Sequence, residues 1–125
     1  MTSEKPTIYI VDDDRSVVVG FKRLMISAGY EVKTFFSAKE LLASGNFPEN
    51  SCLIMDVIMP EMNGFELQKE LVRSGHSVPV IFVTAHDNKA FRYKAKKADA
   101  VAYFRKPVDG EVLLDAVRML HREAF

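Results

Sequence analysis

Two apolar runs in this chain end in carboxylates, and a third ends in a lysine. Ile8-Tyr9-Ile10-Val11 leads into Asp12-Asp13-Asp14, Cys52-Leu53-Ile54-Met55 into Asp56, and Val101-Ala102-Tyr103-Phe104-Arg105 into Lys106-Pro107. If the runs are parallel strands, their ends gather at one edge of a sheet, which is where open α/β sheets bind ligands. Acids and a lysine converging there suit a divalent cation and an incoming phosphoryl group. Clustered carboxylates repel, and at least one has a raised pKa unless a cation neutralises them.

The elements that position these residues alternate along the chain. Residues 7–11 form a short β-branched run, as expected of a strand buried on both faces. Val17, Phe21, Leu24, Met25 and Ala28 then recur at helical spacing, with Asp14 as N-cap and Gly29 as stop. Residues 31–35 read as a second strand, and Ser37 through Glu40 as a capping box opening a helix that runs to about Ala43. Residues 51–55 are strand three. Asn63 and Glu66 cap the next helix, with Leu67, Leu71 and Val72 inward. Residues 79–83 are strand four. Asp87 opens a helix with Phe91, Ala95 and Ala98 inward, and residues 101–104 are strand five. Asp109 caps a last helix carrying Val112, Leu113, Ala116, Val117 and Leu120.

Five strand-helix units predict an α/β three-layer sandwich with a parallel sheet of flavodoxin-like order 2-1-3-4-5. The switch point of that order falls between strands one and three, which end in Asp12-Asp13 and Asp56. The 125 residues suit one domain, with a core at about 6–122. Hydrophobic residues make up 48%, which excludes a disordered chain. Seventeen Lys and Arg balance seventeen Asp and Glu, so bulk charge gives no reason to expect nucleic-acid binding. Cys52 is the only cysteine and reads as a small buried side chain. No apolar run approaches a membrane span, and residues 1–6 lack the apolar core of a signal peptide, so a cytoplasmic protein is expected.

In these positions the chain resembles the receiver domain of two-component response regulators. Asp12 and Asp13 follow strand one and Asp56 ends strand three. Met59-Pro60 and Gly64 follow at the family spacing, Thr84-Ala85 ends strand four, and Lys106-Pro107 ends strand five. The likeness covers nearly the whole chain. It implies a Mg²⁺-dependent (or Mn²⁺-dependent) phosphoacceptor switch, in which a sensor histidine kinase or phosphotransfer protein supplies the phosphoryl group and Asp56 accepts it. Asp13 and Asp56 would ligate the metal, Asp12 through a water, with the backbone carbonyl of Ile58 completing the protein share. Lys106 and the Thr84 hydroxyl would meet the phosphoryl oxygens, and Tyr103 would turn inward behind Thr84. Ile58 and His86, each two residues past a site residue, would tune the phosphate lifetime.

The resemblance further implies contact of helix four, strand five and helix five with an output domain in cis, an effector protein or a dimer mate. Lys89, Arg92 and Lys96 form a basic stripe on helix four. The domain would catalyse only its own phosphorylation and dephosphorylation, without being an enzyme that turns over a separate substrate. A dehalogenase-type hydrolase is disfavoured because Ile58 stands where its second acid belongs. A flavin or nucleotide module is disfavoured because Asp12-Asp13-Asp14 would repel an anionic cofactor. Two departures stand out: Asp99 occupies a position usually held by Gly, and Val108 one where Phe is common.

Overall fold

A computed structural model describes residues 5–45, 47 and 50–121. The expected outer ends of the domain, residues 1–4 and 122–125, lie outside the described residues. Five strands and five helices alternate: β1 Thr7–Val11, α1 Arg15–Ser27, β2 Val32–Phe35, α2 Ala38–Ala43, β3 Ser51–Asp56, α3 Gly64–Arg73, β4 Val80–Thr84, α4 Lys89–Lys97, β5 Ala102–Arg105 and α5 Gly110–Arg118. All four pairings are parallel, and the order is β2-β1-β3-β4-β5, as the sequence predicts.

Strand side chains alternate between the faces of a sheet, so each apolar run feeds two cores. Tyr9, Val11, Leu53, Met55 and Phe82 meet Leu41, Phe65, Leu67, Leu71 and Ala95 from α2, α3 and α4. Ile8, Ile10, Cys52, Ile54, Ile81 and Val83 meet Val18 and Met25 of α1 and Leu113, Ala116 and Val117 of α5. Burial pushes the Cys52 thiol up to about 12, which makes it the inert core side chain its neighbours predict.

The sequence misplaces several inward faces. Val72 was expected inside, but it is 59% exposed, and Phe65 is the buried residue instead. Val112 is also exposed, while Leu114 is buried, and Val18 rather than Val17 is the buried valine of α1. Adjacent positions on a helix differ by about 100°, so an apolar residue beside the inward stripe can leave it. Strands four and five each start one residue later than expected and include Thr84 and Arg105.

Caps fix where each helix begins. Asp14 accepts the Ser16 N–H and Ser37 the Glu40 N–H. The Glu40 carboxylate reaches the N–H of Phe36, not that of Ser37, so the expected box is half closed. Asn63 and Glu66 form a complete capping box. α4 starts from Asn88, whose side chain accepts the Phe91 N–H, and not from Asp87. At its other end Asp99 takes a left-handed φ of 55°, a conformation that Asp tolerates better than most residues.

Gly64 joins the helix α3 start to the end of β3. Its N–H donates to Val57 O at 2.8 Å, and a Cβ there would lie 2.6 Å from the Asp56 carbonyl oxygen. That neighbour is backbone and cannot swing away. Gly64→Ala should therefore cost about 1–3 kcal/mol in urea unfolding. Gly20→Ala, on exposed helix surface with open space around it, should gain about 0.5–1 kcal/mol. Equal stability of the two variants would contradict this packing.

Candidate functional site

The parallel register brings the run ends together. Val11 pairs with Met55, Asp56 with Val83, and Thr84 with Arg105, so Asp12, Asp13, Asp56, Thr84 and Lys106 share one sheet edge. Strands about 4.8 Å apart leave side chains at that edge within contact distance. One carboxylate oxygen each from Asp12, Asp13 and Asp56 lies within 4.8 Å of the others. Asp12 is 1% and Asp56 7% exposed, while Asp13 faces solvent.

Lys106 supplies the neighbouring cation. Its Nζ donates to Asp12 Oδ2 at 2.7 Å and lies 3.3 Å from Asp56 Oδ2. The backbone N–H of Lys106 donates to Thr84 O at 2.8 Å, which fixes the lysine beside β4, and the Lys106–Pro107 bond is cis. Burial alone would lower the Lys106 pKa, but the hydrogen bond and charge of Asp12, joined by Asp56, outweigh it and the net shift is upward. Burial raises the Asp56 pKa, the Asp12 charge raises it further, and Lys106 and the Ile58 N–H only partly offset them.

Each Asp12 oxygen is already engaged, Oδ1 by the Asp14 N–H and Oδ2 by Lys106. Asp56 Oδ1 accepts from the Ile58 N–H at 3.3 Å, and the Ile58 side chain is exposed. Asp14 sits apart as the α1 cap, the role its position suggested. Three carboxylates short of positive charge are a hard-oxygen donor set, and they fit a divalent cation of the Mg²⁺ type. Such a cation would be held by Asp13, which faces solvent, and by Asp56, whose contacts with Lys106 and the Ile58 N–H are both 3.3 Å, looser than the 2.7 and 2.9 Å contacts that engage Asp12.

Thr84 is wholly buried, and its Oγ1 accepts the His86 N–H at 3.0 Å. His86 thus touches the site through its backbone, and its side chain is exposed. Tyr103 points the other way. Its hydroxyl donates to Asp87 Oδ1 at 3.0 Å, and Arg92 Nε donates to the same oxygen at 3.0 Å. Burial and the Asp87 carboxylate push Tyr103 up to about 12, so it stays a donor at neutral pH. Sequence reasoning made Asp87 a helix cap and missed this junction. A loop acid five residues before an arginine carries no signal that a tyrosine 16 residues on will reach it.

Solved structures share this fold. FixJ-N superposes with a TM-score of 0.84 at 30% identity over 98% of this chain and 99% of that one. The low-resolution structure of the response regulator StyR gives 0.83 at 39% identity over 94% of this chain and 60% of that one. The fold and the acidic edge define a CheY-like signalling module. The chain belongs to the response regulator receiver domain family, whose model matches residues 8–118. It is 41% identical over 118 residues to the response regulator protein TmoT of Ectopseudomonas mendocina, covering 94% of this chain and 54% of that protein. It is 38% identical over 115 residues to nodulation protein W of Bradyrhizobium diazoefficiens, covering 92% and 51%. The chain spans about half the length of the curated relatives it matches. As a receiver domain it has a phosphoacceptor role in two-component signalling. No helix among the described residues is long and apolar enough to cross a membrane.

Proposed function

We propose that Asp56 is the phosphoacceptor of a cytoplasmic switch driven by a sensor histidine kinase or a phosphotransfer protein. The observation that carries this is the half-neutralised Asp56, buried beside Asp12 and only 3.3 Å from Lys106. An Asp56 oxygen attacks phosphorus, the P–N bond of a phosphohistidine breaks, and the imidazole nitrogen keeps the electron pair. Bound Mg²⁺, or Mn²⁺, would supply charge neutralisation between the carboxylates and the phosphoryl oxygens. Lys106 then exchanges its contact with Asp56 for a phosphoryl oxygen, while Asp12 keeps the ammonium in place. Hydrolysis of the acyl phosphate returns the carboxylate and inorganic phosphate, so the domain turns over no separate substrate. Ile58 and His86 flank the acceptor and set how readily water reaches it. The Ile58 carbonyl would be a further oxygen ligand for that cation.

The switch follows from charge. A phosphoryl group adds roughly −1.5 to −2 charge. A charge-assisted hydrogen bond from the Thr84 hydroxyl contributes about 1.5–3 kcal/mol, and about 1.4 kcal/mol is tenfold in a two-state equilibrium. Thr84 is tied to the β4–α4 loop by the His86 N–H, and that loop holds Tyr103 and Arg92 through Asp87. Drawing Thr84 toward the phosphate therefore loosens the Asp87 junction and lets Tyr103 turn inward. The α4, β5 and α5 surface, with Lys89, Arg92 and Lys96, then changes for an output domain, an effector protein or a dimer mate.

Intact-mass measurement after acetyl phosphate treatment should give one phosphoryl adduct with Mg²⁺, none with chelator and none in Asp56→Ala. An adduct persisting in Asp56→Ala would overturn the assignment. In the same assay His86→Ala and Ile58→Ala should alter adduct decay, and unchanged decay in both would remove them from the site. Asp87→Ala should move the NMR signals of 102–105 toward their phosphorylated positions without phosphate. Signals that stay in place would show that Asp87 does not hold Tyr103.

A further inference from the structure

Helix α4 is unusually one-sided in charge. Five of its nine residues are Lys or Arg and none is acidic, in a chain whose formal net charge is zero. Lys89, Arg92 and Lys96 lie on the side already considered. Lys94 and Lys97 face the other way, toward α3, where a groove of about 630 Å³ runs between the two helices. Its apolar lining includes Phe65, Val72 and Tyr93. Val72 is 59% and Tyr93 63% exposed, among the largest uncovered apolar side chains described.

Four cations line the groove, Lys69, Arg73, Lys94 and Lys97, against one acid, Glu66. Arg73 is paired with Glu70. Among the described residues Lys69, Lys94 and Lys97 have no ion-pair partner. The ammonium of Lys94 instead lies 5.9 Å from the Phe65 ring centre, and that of Lys97 5.7 Å from the Tyr93 ring centre. Cations in the last turn of α4 offset its helix dipole, which accounts for part of the charge. The dipole does not account for Lys69 on α3, nor for an open valine and tyrosine between the two basic rows.

We infer that the α3–α4 groove docks an acidic amphipathic segment of a partner protein. Charge complementarity selects the acid: three ammonium groups without an ion-pair partner among the described residues rim the groove against the single carboxylate of Glu66, and an acidic partner complements that positive excess. The apolar lining selects amphipathicity, since Val72 and Tyr93 gain only from an aliphatic or aromatic anchor. A nucleic acid suits it less well, because the aliphatic Val72 offers no stacking surface and Lys97 lies over the Tyr93 ring. The helices run nine and ten residues, or about 14–15 Å, enough to seat two to three turns of a helical peptide. This site is separate from the phosphoacceptor, and its test needs no phosphate.

A fluorescein-labelled amphipathic peptide of about twelve residues, with Leu at i, i+3 and i+7 and with Glu and Ala sharing the other positions, is titrated into the unphosphorylated chain by anisotropy. A twin peptide carries Lys in place of every Glu. The acidic peptide should bind saturably, the basic twin should not, and NMR signals of residues 64–73 and 93–98 should move most. Lys94→Glu with Lys97→Glu should weaken binding by about tenfold or more. Arg92→Glu with Lys96→Glu, on the other side of α4, should change it less than the groove pair does. The inference is overturned by equal binding of both peptides, by no saturable binding, or by a greater loss from the Arg92 and Lys96 pair. Tighter binding of a single-stranded oligonucleotide at the same residues would also overturn it, as would a dimer seen by sedimentation that Lys94→Glu with Lys97→Glu dissociates.

Discussion

The crowding of Asp12, Asp13 and Asp56 around a single lysine is the constraint on which the rest of this structure depends. Three carboxylate oxygens within 4.8 Å cannot all be ionised comfortably beside one ammonium. Lys106 is drawn mainly to Asp12, at 2.7 Å, and less closely to Asp56, at 3.3 Å. Asp56 is left with a raised pKa and an unmet demand for positive charge. Folding therefore works against an ionised Asp56. That cost is absent below its ordinary value of 3.8 and fully present above the raised one. A buried ion pair of this kind is weak support for stability, and its worth lies in holding charges where chemistry needs them.

The scaffold exists to maintain that crowding. The β1–β3 register sets Asp12 beside Asp56, and β4–β5 pairing sets Lys106 beside Thr84. Gly64 lets α3 start hard against the Asp56 backbone, and the Asn63–Glu66 box fixes that start. On the far side of Thr84, the loop that ends β4 is tied to α4 and β5 through one oxygen of Asp87. The chain thus has a short covalent and hydrogen-bonded route from the acid cluster to its surface.

Most of the fold was legible because buried parallel strands are continuous apolar runs, and these end in chemically distinctive residues. Handedness limited the possible sheet orders, and the flavodoxin-like order fitted because its switch point falls between the strands that end in Asp12 and Asp56. Helix starts at Asp14, Ser37, Asn63 and Asp109 were legible because a cap is a local hydrogen bond. Val72 and Val112 were not, because whether a residue beside the apolar stripe is covered depends on the neighbouring helix, which no local pattern records. Asp87 shows the same limit more sharply. It and Asn88 are adjacent polar candidates for one cap, and only the distant Tyr103 hydroxyl decides which of them goes elsewhere.

The central claim is that Asp56 is held between the repulsion of Asp12 and the incomplete relief of Lys106. Its most direct test is the metal-free titration of the Asp56 side-chain carboxyl by carbon-detected NMR, in the wild type and in Lys106→Met. The account predicts an Asp56 pKa above the ordinary 3.8 in the wild type and a further rise in the variant. A wild-type value at or below 3.8, or no rise on removing the lysine, would contradict it.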